Sequence, residues 1–216
     1  MSELYSNPAE PTQRRGICFV LSAPSGAGKS TIANALRASQ KNLFPSISVT
    51  TRLPRPGEID GVHYHFITKE QFNHQADSGE LLEWATVFDK GYGTPKAPVE
   101  QQLAEGKDLI FDIDWQGQRQ IKAALPDDVV SIFILPPSLE ELEKRLTNRA
   151  SDHADEIQKR MRAALNEIEH WEEFDYVVIN NKLDDAIMQI EAILTAERLK
   201  TKRQNFLHSF THSFTL

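Results

Sequence analysis

The chain has 216 residues, enough for one domain with an inserted or appended piece and for a sizeable buried core. Its 40% hydrophobic and 25% charged residues are an ordinary globular balance, and a net charge of −7 argues against a coat for nucleic acid, which needs a basic excess. One cysteine, Cys18, excludes an internal disulfide, and no apolar run approaches the ~20 residues of a membrane span. No nucleic-acid or membrane partner is therefore expected, and the cytoplasm fits best.

Residues Met1 to Arg15 are polar and read as a frayed arm without a signal core. Gly16 to Ser22 (GICFVLS) is a continuous apolar run, the pattern of a strand covered on both faces of a parallel sheet. A glycine loop, Ala23 to Gly28, leads into an amphipathic helix from Ser30 to Ser39. Ser46 to Thr51 is short and β-branched, and the prolines of Arg52-Leu53-Pro54-Arg55-Pro56-Gly57 forbid helix there. Val62 to Thr68 alternates like a strand, with His63 and His65 as strand side chains rather than metal ligands. Lys69 to Gly79 predicts a short helix, Leu81 to Phe88 an extended segment, and Gly91-Tyr92-Gly93 a turn. The stretch from about Ser46 to Gly93 thus predicts a small β-rich insertion in an otherwise alternating α/β chain.

Beyond the insertion, Pro98 to Glu105 predicts a helix, Asp108 to Ile113 a buried strand and Gln116 to Ala124 a helix. Val129 to Leu135 is the third core strand, stopped by Pro136-Pro137. Ser138 supplies a hydroxyl cap, with Glu141 three residues on, for a long charged helical region reaching Trp171 and broken near Ala150 to His153. Tyr176 to Ile179 is a fourth strand, and Asp184 to Arg203 a closing helix. The tail, Phe206 to Leu216, carries a small His-Ser-Phe-Thr duplication and reads as a loose end or a contact in a homo-oligomer.

The loop Ser25-Gly26-Ala27-Gly28-Lys29-Ser30, between apolar strand and helix, predicts a nucleoside triphosphate site. Glycines let backbone N–H groups face an anion. In such a loop Lys29 would reach the β/γ-phosphates and Ser30 would meet Mg²⁺. The usual pattern begins with glycine, and Ala23 stands there instead. Asp112 and Asp114 follow an apolar strand at its C-terminal end, where ligands of parallel sheets gather. Strand alternation would point both acids to one face. One could hold the metal and the other approach a base; the residues leave the division open. Arg145 and Arg149, four apart, would share a helix face.

The segments SAPSGAGKST (22–31), SVTTRLPRPGEIDGVHY (48–64), LEWATVFDKGYGT (82–94), FDIDWQGQ (111–118), IFILPPS (132–138) and VVINN (177–181) together resemble guanylate kinases in their short bacterial form. The resemblance runs from about Gly16 to Gln204. Bacterial members commonly carry SAPSGAGKS, so Ala23 is a feature of that form. It implies a P-loop nucleoside monophosphate kinase fold in three layers: a parallel core sheet (16–45, 95–138 and 172–204), a β-rich GMP-binding insertion (46–94) and a helical lid (about 139–171). Residues 1–15 and 205–216 would flank it.

By the same resemblance the donor is ATP with Mg²⁺ and the acceptor GMP. Ala23, Pro24, Ser25, Gly26, Ala27, Gly28, Lys29, Ser30 and Thr31 would cradle the ATP phosphates, and Asn180 would lie beside adenine. Ser48, Arg52, Arg55, Tyr64 and Tyr92 would hold the GMP phosphate; arginine's planar fork suits two phosphate oxygens. Glu83, Thr94 and Asp114 would read guanine, and Ser30 with Asp112, through water, would serve the metal. Lys29, Arg52, Arg145, Arg149 and Arg160 would stabilise charge during transfer. Ala150 stands where family members commonly have glycine, which bears on the hinge of the lid. The attacking group is an ionised phosphate oxygen, so no general base is expected. A binding module without catalysis and a sugar-phosphate kinase are the alternatives. The intact Lys29-Ser30 speaks against the first, and Glu83 with Thr94 against the second.

Overall fold

Two sheets organise the described residues, 14–148 and 154–204 of a computed structural model. The first contains β1 (Cys18–Ser22), β2 (Leu43–Pro45), β7 (Asp108–Asp112), β8 (Val129–Leu135) and β9 (Tyr176–Ile179). All pair in parallel, in the order β2-β7-β1-β8-β9. Four of these strands are the expected ones. The fifth, β2, has only the residues Leu-Phe-Pro, and it pairs at the edge with β7.

Alternation along β1 sends successive side chains to opposite faces. Phe19 and Leu21 pack with Ile32, Leu36, Ile190 and Leu194 of α1 (Lys29–Ser39) and α7 (Leu183–Leu199). Cys18 and Val20 pack with Val99, Leu103 and Ile121 of α3 (Lys96–Ala104) and α4 (Trp115–Ala124). Every residue of β1 is buried, because both its faces and both its edges are covered. Each such large apolar side chain contributes about 1.5–3 kcal/mol. The centre of this sheet is therefore the rigid reference from which the loops at its C-terminal end are hung.

The two residues before Gly16 are anchored to the core. Arg14 donates to the fully buried Asp108 at 2.7 Å, as does Arg198 from α7, and the Ile17 N–H reaches the same carboxylate. Arg15 makes a two-pronged pair with Asp128. Arg14 and Arg15, expected in a frayed arm, are therefore held in place, since a buried carboxylate requires partners; residues 1–13 lie outside the described residues.

The second sheet has the order β4-β3-β6-β5, from β3 (Val49–Thr50), β4 (His65–Phe66), β5 (Leu81–Val87) and β6 (Lys90–Pro95). Helix α2 (Lys69–Asp77) starts at Thr68 with a reciprocal cap through Gln71, and its Phe72 packs under this sheet. Two expectations are corrected here. Gly91-Tyr92-Gly93 is strand, not turn; the β5–β6 turn is made by Phe88 and Asp89, both left-handed at φ 47° and 59°. The glycines serve close approach instead: a Cβ on Gly91 would lie 2.6 Å from the Phe72 ring. The strand expected over Val62 to Thr68 is also shorter, and His63 lies outside it, its Nδ1 accepting the Ile59 N–H.

Helices α5 (Leu139–Asn148) and α6 (Ala154–Ile168) pack together through Leu142, Leu146 and Ala164. Ser138 caps α5 as expected, accepting the Glu141 N–H at 3.2 Å. Arg149 and Ala150, like the tail from Asn205 onward, lie outside the described residues. Among the described residues no helix is long and apolar enough to cross a membrane.

Candidate functional site

The loop between β1 and α1 is shaped by two left-handed glycines, Gly26 at φ 92° and Gly28 at φ 99°. Neither tolerates a Cβ easily. At Gly26 it would press on Leu142 and Leu146 of α5, and at Gly28 it would lie 2.5 Å from the Asn180 Nδ2. That Nδ2 donates to the Ala27 carbonyl at 2.8 Å, so the buried Asn180 side chain braces the loop from β9's end. Arg145 donates to the Asn180 carbonyl at 3.4 Å and to Glu141. Gly26, Gly28, Thr31, Arg145 and Asn180 line one cavity. Arg160 lies half-buried on α6.

Lys29 stands on the first turn of α1. Its Nζ lies 2.7 Å from Asp112 Oδ1 and donates to the Ile113 carbonyl at 3.2 Å. Ser30 Oγ reaches Asp112 Oδ2 at 3.5 Å. The expected shared face of Asp112 and Asp114 is not found. The strand ends at Asp112, so alternation stops there. Asp114 instead caps α4, accepting the Gly117 N–H at 2.9 Å, and its charge helps raise the pKa of Glu83. Pro24 and Ala27 are buried and Ser25 is exposed, its N–H donating to Glu167 Oε2 of α6 at 3.1 Å. Ala23 packs against the core. Burial pushes the Glu167 carboxyl up from its ordinary range, against the pull of that hydrogen bond and of Lys29.

A second cavity joins the two sheets. Ser30, Asp112 and Ile113 line it from the core; Ser48, Tyr64 and Thr94 line it from the second sheet. Thr94 donates to Glu83 Oε1 at 2.7 Å, so the Ser48 hydroxyl, 3.5 Å from Thr94 Oγ1, is left to donate to it. Glu83 is 7% exposed, and desolvation is the main reason its pKa rises above the usual carboxylate value.

Arg52 lies over the ring of Tyr64, which lines this cavity, at 5.3 Å and over the Phe66 ring at 5.8 Å, with Tyr64 edge-on to Tyr92. Its Nη1 and Nη2 donate to the two Glu58 oxygens at 2.8 and 2.9 Å. Glu58 also accepts the Arg55 N–H at 2.7 Å, which closes the Pro-Gly turn and leaves the Arg55 side chain exposed beside it. These bonds hold the Glu58 carboxyl down at about 2. Glu58 and Glu167 join this region without a signal in the sequence. Six residues separate Glu58 from Arg52 across a turn, and 142 separate Glu167 from Ser25, so neither leaves a local pattern.

A parallel sheet opening through a glycine loop into a helix, with an aspartate of the neighbouring strand facing the loop's lysine and serine, defines a P-loop kinase fold of the nucleoside monophosphate class. The guanylate kinase family model matches residues 15–197. A guanylate kinase of Gluconobacter oxydans is 64% identical over 94% of this chain and 97% of its own, and one of a Chelativorans species is 52% identical over 95% and 94%. The crystal structure of guanylate kinase from Anaplasma phagocytophilum superimposes with a TM-score of 0.73, at 37% identity, over 94% of this chain and 96% of its own. The chain belongs to the guanylate kinase family.

Proposed function

We propose that this enzyme carries out phosphoryl transfer from ATP to GMP, giving ADP and GDP, with the two nucleotides meeting in the cavity between its sheets. The observation that carries this reading is that one cavity is lined by Ser30 and Asp112 from the phosphate-loop side and by Ser48, Tyr64 and Thr94 from the other. A donor and an acceptor phosphate can approach each other only where both sides contribute walls.

Residues 23–31 take the triphosphate, Lys29 exchanging its contact with Asp112 for the β/γ-phosphates. Asn180 works by bracing the loop as well as lining the adenine side. Arg52, Arg55, Tyr64, Tyr92 and Ser48 take the GMP phosphate. Glu83 accepts from the guanine N1–H and amine, oriented by Thr94, and Asp114 approaches the same base. Ser30 and Asp112 are hard oxygen donors of the kind Mg²⁺ prefers, and they would hold that ion, Asp112 through water. When bound it neutralises charge on the transferring phosphate. Arg145, Arg149 and Arg160 add positive charge from the lid (about 139–171). Closure of lid and GMP-binding part (46–94) excludes water, the competing nucleophile. No proton needs to be removed from the attacking phosphate oxygen, so the chain's work is positioning and charge neutralisation. A single buried thiol and soluble nucleotide substrates fit a cytoplasmic setting.

The test is to mix the protein and Mg-ATP with GMP, AMP, CMP or UMP and follow ADP release. Fast release with GMP alone is expected. Comparable rates with AMP, or none with GMP, would overturn the reading.

A further inference from the structure

Helix α4 shows three residues in succession to β5. Asp114 caps it, Gly117 follows three residues on, and Gln120 three residues after that, so all lie on one face. Asp114 is close enough to raise the pKa of Glu83. Gly117 leaves room for that side chain: a Cβ there would lie 3.3 Å from Glu83 Oε2. Gln120 holds the next residue of the strand at both ends of its backbone. Its Oε1 accepts the Trp84 N–H at 3.1 Å, and its Nε2 donates to the Trp84 carbonyl at 3.2 Å.

Strand β5 is the outer strand of its sheet, so the free edge of Trp84 faces away from β6. Such an edge is satisfied by water at little cost, and a hydrogen bond that only replaces water adds little to stability. The two bonds matter more for geometry. A glutamine amide presents an oxygen acceptor and an N–H donor side by side, as a peptide edge does, so Gln120 acts as a one-residue strand paired with β5. Asparagine is one carbon shorter, and glutamate keeps only the acceptor. The indole of Trp84 is fixed from the other side, edge-on to Phe72 at 6.2 Å.

We propose that Gln120 is a positioning residue for base selection: by pairing with the Trp84 peptide it sets the height of β5 on α4, and thereby the spacing of the Glu83 and Asp114 carboxylates around the guanine. This rests on Glu83 as the guanine reader. Guanine differs from hypoxanthine only by the exocyclic amine. A carboxylate shifted along the base loses its match to N1–H and amine together, and a displacement of about 1 Å can cost on the order of a hundredfold.

The test compares GMP with IMP as acceptors. Gln120→Ala should raise KM for GMP about tenfold and lower the GMP-over-IMP preference in kcat/KM by a similar factor. Saturated kcat should stay within about twofold and KM for Mg-ATP should not change. Gln120→Glu should fall between wild type and alanine, and it decides the matter if the alanine variant does not fold. Glu83→Gln alone should abolish most of the preference, and adding Gln120→Ala to it should remove no more. If Glu83→Gln lowers the preference while neither Gln120 variant does, the guanine reading stands and this inference falls. Equal rises in KM for both nucleotides, or losses that multiply in the double variant, also overturn it. If Glu83→Gln leaves the preference intact, the guanine reading itself fails and the inference with it.

Discussion

On the proposed reading the two sheets solve the same problem, holding an anionic ligand, by different means. The core sheet presents a backbone loop, shaped by Gly26 and Gly28 and braced by Asn180, at the end of strands buried on both faces. The second sheet presents side chains: Arg52 held by Glu58, and Glu83 held by Thr94. A backbone cradle needs only local sequence and a firm scaffold, and it suits the phosphates common to every donor. A side-chain cradle depends on pairs distant in the chain, and it is what can tell one acceptor from another.

The largest effect should come from the donor side. Lys29→Met should lower kcat about a thousandfold, leave KM for GMP within a few-fold and barely move the melting temperature. A comparable rise in KM for GMP would mean the two halves are not separable. On the acceptor side, Arg52→Lys keeps the charge but loses the fork. It should lower kcat/KM for GMP by roughly 10–100-fold, the worth of a charged hydrogen bond of about 1.5–3 kcal/mol, without altering ATP affinity. Unchanged GMP kinetics would move the phosphate contact away from Arg52.

The smallest and most discriminating effect is that of pH on Glu83. Burial raises its pKa in the folded chain. The unfolded chain therefore ionises first, and stability falls as pH rises from the unfolded value, about 4.3, through the higher folded one. Glu83→Gln should raise the melting temperature at neutral pH, with the gain vanishing below about pH 4. In the wild type KM for GMP should climb on acidification from a pH above 4.3, since a protonated carboxyl cannot accept from both guanine groups. Glu58, held at about 2, should contribute no titration in that range. A KM profile flat down to pH 4.3 would remove the raised Glu83 from the acceptor site.

The chain is most legible where neighbours in sequence are neighbours in space. The run GICFVLS, the glycine loop and the helix after it lie within 24 residues, from Gly16 to Ser39, and their periodicities change where the structure changes. The acceptor side was less legible. The glycines of Gly91-Tyr92-Gly93 have the pattern of a turn, but they admit Phe72 and the β5 backbone, while Phe88 and Asp89 make the turn. Strand β2 is three residues long and owes its existence to β7. Asp112 and Asp114 look like partners in a strand, yet the chain leaves the sheet between them.

By itself, then, the sequence determined a parallel α/β core, a glycine loop opening a helix at Lys29-Ser30 and an inserted β-rich part, because apolar periodicity and glycine spacing are local signals. Only the tertiary structure decided what each polar group does there. It put Asp112 on Lys29 and Asp114 beside Glu83, closed Asn180 on the loop, and laid Glu167 and Glu58 against N–H groups and an arginine that would otherwise face solvent. The reason is physical: a buried or half-buried polar group must find a partner of matching hydrogen-bonding geometry, and where the chain supplies that partner is settled by packing rather than by distance along the sequence.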